Sequence, residues 1–187
     1  MLIGNVTYFA PGVPFEALDL SGKQLPDQLL ARMEGYYLGP AERCIKVRDA
    51  FAAGVLLVTC IDAISRFDFG PNRAERKVGK DFSTFVRIRL PSFRDQNMAT
   101  LLYKKYRNGL VHEARLKEGC QFSFGLKSTL DISRKFPVVD PSGLLRELRS
   151  AVSALVQEMR DSKAFQKELL KYVRREFAYE IGAADAF

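Results

Sequence analysis

Residues 50–64 read AFAAGVLLVTCIDAI. Apolar or small residues fill nearly every position, so a helix through this stretch has no polar face and must be buried nearly all round. The spacing predicts one long helix from about Ala41 to Phe67, with this stretch as the most buried element of the fold. Gly54 at its middle costs about 1 kcal/mol against alanine, and a close helix crossing at that point would account for it. Asp62 is the one charged residue in the stretch. Such a carboxylate either pairs with a cation or reaches solvent, or it orients a residue of a functional site. The run is interrupted by Asp62 and is too short to span a bilayer, so no membrane is expected as a partner.

Upstream, Leu29, Leu30, Met33 and Tyr37 recur at helical spacing after Pro26, which predicts a helix over Leu25 to Leu38. Gly39-Pro40 is expected to stop it. Residues 1–23 hold Pro11, Pro14 and several glycines with no sustained period. They read as an irregular N-terminal arm with a short strand over Asn5 to Phe9.

Downstream, Phe69 to Gly79 reads as a loop with a basic run, Arg73, Arg76 and Lys77, followed by Lys80. Asp81 is placed to cap a short helix carrying Phe82, Phe85, Val86 and Leu90, ended by Pro91. Ser92 is placed to cap the next helix, whose apolar stripe is Met98, Leu101, Leu102, Tyr106 and Leu110 and whose end falls near Gly119. From Cys120 the period changes: Phe122 and Phe124 alternate with polar neighbours, as do Leu130 and Ile132, with Gly125 between. That pattern predicts a small β-hairpin at about 120–133. Asp140-Pro141-Ser142 opens a helix through about Arg160, and a last helix covers about Ser162 to Ile181. The expected fold is therefore mainly all-α. It is an up-and-down helical bundle over residues 24–187 with a small β-hairpin insertion, preceded by the arm at 1–23.

At 187 residues, 47% hydrophobic and 27% charged, the chain suits one ordinary domain with a core of its own. A net charge of +7 favours a polyanionic partner such as RNA. Cys44, Cys60 and Cys120 form no CxxC pair, and with a single histidine they leave little material for a zinc site. They are expected as buried thiols in a reducing compartment. Neither a metal nor a cofactor is expected. The N-terminus lacks the cationic stretch of a signal peptide, which points to the cytoplasm. P-loop and G-x-G-x-x-G strings are missing, and residues 119–125 lack the glycine placement of a G-x-S-x-G nucleophile elbow. The basic run Lys163, Lys167, Lys171, Arg174 and Arg175 is interleaved with glutamates and reads as a solvated helix face.

Chemistry concentrates in one string, Arg107-Asn108-Gly109-Leu110-Val111-His112, which ends on the only histidine of the chain. Imidazole moves protons near neutral pH, and guanidinium offers a planar, permanently charged fork to a phosphate. On a helix, Asn108 and His112 are four apart and share a face. The stem of Arg107 lets its head reach the same space, while Leu110 and Val111 anchor the helix in the core. Lys104, Lys105 and Arg115 add positive potential nearby and are the candidate RNA-binding residues.

The string RNGLVH resembles the R-x4-6-H signature of the HEPN superfamily, whose members are all-α bundles. Many of them are metal-independent endoribonucleases of toxin, antiviral and RNA-processing systems. The resemblance implies that Arg107 binds the scissile phosphate, that His112 is the general base or acid, and that Asn108 is a polar orienter. It also implies a homodimer with a composite active site and, in toxin systems, an inhibitory protein partner. Some toxin members carry a tyrosine two positions after the histidine; here that position is Ala114. The expected activity is RNA cleavage by attack of a 2′-hydroxyl on the adjacent phosphate, which confines the substrate to RNA. The alternative is a non-catalytic HEPN-like module that binds RNA, a nucleotide or a protein partner through the same helix.

Overall fold

Helix α3 (Ala50–Asp68) runs through the middle of the protein, flanked by α2 (Gly39–Lys46), α4 (Val78–Arg89) and α7 (Pro141–Asp161). The structure, a computed structural model, describes residues 2–3, 6–68 and 78–184. The basic run Arg73, Arg76 and Lys77 and the first residue of the expected N-terminal strand, Asn5, lie outside the described residues. By length and hydropathy α3 is able to cross a membrane, and half of its apolar window is buried inside the protein. Here it is the central core helix, with Leu57, Val58, Cys60, Ile61 and Ile64 sealed from solvent.

The fold is mainly α-helical with small strands, as the periodicities predict. Helix boundaries differ where backbone chemistry intervenes. Gly39-Pro40 does not stop the first helix. A π-helical turn, Glu34–Leu38, joins α1 (Leu25–Met33) directly to α2. Glycine at 39 tolerates helical dihedrals before a proline because it has no Cβ to clash. The chain breaks instead after Lys46, where Arg48 takes a left-handed φ of 60°. The side chain of Asp49 then accepts from the Ala52 N–H at 3.0 Å and caps α3. The expected helix over Ala41 to Phe67 is therefore two helices.

Pro91 ends α4 as expected. Ser92 is not a cap: its hydroxyl and N–H both donate to Glu147 of α7. The cap of α5 (Gln96–Leu101) is Asp95, which accepts from Asn97 and Met98. Asp140 caps α7 and Ser162 caps α8 (Lys163–Glu176), both as the sequence indicates. The last helix breaks at Phe177 before α9 (Ala178–Ala184).

The N-terminal segment forms a three-stranded antiparallel sheet, β1 (Leu2–Ile3), β2 (Val6–Ala10) and β3 (Val13–Pro14). Phe9 and Phe15 are buried in the common core, where their rings meet Phe177. The β insertion is present with a different pairing. Strand β4 (Gln121–Phe122) and strand β5 (Leu130–Asp131) do not pair with each other; β6 (Val138–Val139) lies between them, parallel to β4 and antiparallel to β5. Two buried valines make β6 the strand best suited to the centre. The Asp140 carboxylate pulls the intervening loop inward by accepting from the N–H groups of Gly125 and Leu126. Gly54 is explained by this insertion and not by a helix crossing: a Cβ there would strike the Phe122 ring.

Candidate functional site

Met98, Leu102, Tyr106 and Leu110 are each four residues apart. Four residues of α-helix turn through more than a full circle, so such a stripe drifts by about 40° per step. A π-helical turn, Leu102–Arg107, between α5 and α6 (Asn108–Glu113) takes up the drift. Leu102, Tyr106 and Leu110 all stay buried. The buried hydroxyl of Tyr106 shares its one proton between the carbonyls of Gln121 and Pro137 and ties this turn to the β insertion.

Helix α6 ends earlier than the sequence indicates, at Glu113 rather than near Gly119, because Ala114 takes the left-handed conformation that closes a helix. The Arg115 N–H donates to Gly109 O at 3.1 Å and the Lys117 N–H to Lys105 O at 3.2 Å. The chain thus folds back over α6. A Cβ at Gly109 would strike the Arg115 carbonyl, so the glycine inside the motif is a steric requirement of that return. Val111, expected as an anchor, is 38% exposed, which leaves Leu110 to hold the helix in the core.

The Arg107 guanidinium is the hub of the site. Its Nη2 donates to Asp62 Oδ2 of α3 at 2.9 Å. Its Nη1 donates to Asn108 Oδ1 at 3.1 Å and lies 2.7 Å from His112 Nε2. Guanidinium has no acceptor, so Nε2 accepts, and the ring that fits this contact is neutral with its proton on Nδ1. The Tyr103 ring backs the guanidinium, with 5.7 Å from Cζ to the centroid. The Arg107 and Asp62 side chains are only 11% and 13% exposed, whereas His112 stands at the surface. Carboxylate and guanidinium are thus both covered, and the imidazole stands outside them. The Asp62 Oδ2 oxygen also faces Arg66 Nη2 at 3.7 Å. Asp62 Oδ1 and the Nε atoms of Arg66 and Arg107 are buried with no hydrogen-bond partner among the described residues.

Arg107, Asn108 and His112 thus meet as the spacing predicts, with Asn108 bonded to the arginine and not to the imidazole. The expected cations fare differently. Lys105 pairs with Glu118, and Arg115 pairs with Glu113 at 2.7 Å, a carboxylate that also takes Lys117. Lys104 is exposed and has no ion pair among the described residues. Asp62 pairs with cations, Arg107 and Arg66. Arg66 and Tyr103 were not legible as part of the site, though Arg66 lies one helical turn after Asp62 and Tyr103 one turn before Arg107. Among the described residues no group of His, Cys, Asp and Glu is arranged to hold a metal ion. Comparison of the chain with protein-family models, curated proteins and solved structures returns no match.

Proposed function

We propose that the protein is a metal-independent, HEPN-like endoribonuclease that acts through His112. The observation that carries this reading is an exposed imidazole oriented by a guanidinium, which is itself anchored on a buried carboxylate. An arriving RNA phosphate competes for Arg107 Nη1, because a phosphodiester oxygen is a stronger acceptor than a neutral ring nitrogen. Transfer of that N–H to the phosphate frees the lone pair of His112 Nε2. The freed nitrogen takes the proton of the 2′-hydroxyl, O2′ attacks phosphorus, and the 5′-oxygen leaves with a proton. The products are a 2′,3′-cyclic phosphate and a 5′-hydroxyl. Arg107 offsets the charge that builds on the phosphoryl oxygens. A second copy docked at this edge, where Val111 is exposed beside His112, supplies the proton to the leaving oxygen from a His112 that enters the step as imidazolium and leaves it neutral.

A specific observation favours a second reading, a non-catalytic binding module. Both Nη atoms of Arg107 already have partners inside the protein, and its side chain is almost wholly covered. Cleavage of a 5′-labelled RNA in EDTA by wild type, Arg107→Ala and His112→Ala separates the two. Endoribonuclease action predicts cyclic-phosphate ends from wild type alone. Equal cleavage by all three, or none by wild type, overturns it, and RNA binding without cleavage leaves the module.

A further inference from the structure

A cavity of about 380 Å³ opens between α1, α3 and α8, lined by Arg32, Tyr37, Asp62, Arg66, Tyr172 and Phe177 among others. That volume is in the range of small-molecule sites. Its two arginines face two carboxylates, Asp62 and Glu176, each already bonded to an arginine that is not part of the lining. Arg66 has one described ion pair, a long one, to the Asp62 oxygen that Arg107 already holds at 2.9 Å. Arg32 donates to the Phe9 carbonyl and is stacked on the rings of Phe9, Tyr36 and Phe177 at 5.1, 5.4 and 5.2 Å, and among the described residues no carboxylate closes an ion pair with it. Glu180 lies near enough for Arg32 to feel its charge. Glu176, on the cavity wall, is bonded to Arg175. Burial holds Arg32 below the usual arginine value and pushes the Tyr37 hydroxyl up, as in a weakly solvated space.

Half-buried guanidiniums without full counter-charge call for an anion, and guanidinium forks match phosphate oxygens. The aromatic walls suit a flat ring. We propose that this cavity binds a small aromatic phosphate, with a nucleoside monophosphate as the cellular form of that chemistry. Arg66 and Arg32 take the phosphate, and Tyr37 takes the ring. Asp62 is common to the cavity wall and to the Arg107–His112 contact, so a ligand that draws Arg66 away from Asp62 acts on the same carboxylate that anchors the exposed histidine. The proposal does not depend on cleavage at His112.

Calorimetric titration of the full chain with phenyl phosphate, AMP, adenosine and inorganic phosphate tests it. Phenyl phosphate and AMP should bind at least about tenfold more tightly than adenosine or inorganic phosphate alone. Arg66→Gln removes the anion partner, and Ala63→Phe fills the cavity without changing charge; each should weaken AMP by about tenfold or more. Arg134→Gln, on the exposed β insertion, should leave binding intact. Melting curves confirm that each variant is folded, and either of the two cavity variants suffices if the other is not. On His112→Ala protein, displacement of a labelled RNA by AMP assigns the cavity to a nucleotide of the RNA strand. RNA left in place while AMP binds assigns it to a free nucleotide. No binding of either aromatic phosphate at millimolar concentration, or equal AMP affinity in wild type, Arg66→Gln and Ala63→Phe, overturns the proposal. Because the titration uses no RNA, its failure and the failure of the cleavage reading are separate results.

Discussion

Helix α3 supplies two aspartates to two arginines, and the two pairs are built to different ends. At its C-terminal end Asp68 meets Arg89 of α4, whose fork closes on carboxylates on both sides: Nη2 donates to Asp68 Oδ1 at 2.8 Å and to Glu158 Oε2 of α7 at 2.8 Å. At its middle Asp62 meets Arg107, but here one carboxylate serves two guanidiniums. The rest of the Arg107 fork is spent on an amide and an exposed imidazole. The first fork staples three helices; the second holds an exposed imidazole at the surface. The same ion-pair chemistry on one helix gives a clamp where the arginine is saturated with acid and a site where it is not.

The largest difference should appear when each arginine is removed. Arg89→Ala leaves Asp68, 6% exposed, as an uncompensated buried carboxylate, and should cost about 3–5 kcal/mol of stability in denaturant unfolding. Cleavage per folded molecule should be unchanged. Arg107→Ala should show the reverse emphasis, a loss of about 10²–10³ in the rate of RNA cleavage. If Arg107→Ala cleaves at the wild-type rate, the contrast between clamp and site is wrong.

Gly109→Ala comes next. The added methyl meets the Arg115 carbonyl, and overpacking of this kind costs about 1–3 kcal/mol, read as a lowered melting temperature. A neutral result would show that the return over α6 does not need the glycine.

Acid should loosen the clamp on its Glu158 side. The hydrogen bond from Arg89 holds the Glu158 carboxyl below the usual glutamate range. A carboxyl depressed in the folded state contributes stability that is present above its unfolded value, about 4.3, and is lost as pH falls through the folded one. Glu158 is half exposed, so Glu158→Gln should cost only about 0.2–1 kcal/mol at neutral pH. The gap to wild type should close below the ordinary glutamate range. A gap that widens on acidification contradicts the assignment.

The smallest effect separates the expected RNA-binding cations. Lys104→Ala should lower the salt dependence of RNA binding by about one unit of slope. Lys105→Ala should change it little, because Lys105 already has Glu118 beside it. Equal slopes would mean that the ion pair opens on binding.

The helices and the motif were legible because each depends on local spacing. Apolar positions three and four apart mark α1, α4, α7 and α8, and four residues between Asn108 and His112 put them on one face. What was not legible depends on steps of a different length or on contacts across the chain. Leu38 follows Met33 by five residues, and Met98 through Leu110 advance by fours. Both stripes fit π-helical turns, which a search for α-helical spacing reads as ordinary helix. The strand order around Val138–Val139 depends on Asp140 and its two loop N–H groups, which no alternation pattern encodes. The role of Asp62 depends on Arg107, 45 residues away; the sequence marks it only as a charge in an apolar run.

A single histidine makes the central claim directly measurable, since every imidazole signal in a ¹⁵N–¹H long-range correlation spectrum belongs to His112. With Arg107 donating to Nε2, the neutral ring should show its proton on Nδ1 in wild type, and Arg107→Ala should lose that preference. A wild-type ring protonated on Nε2, or identical spectra from the two proteins, would contradict an imidazole held by Arg107 on Asp62.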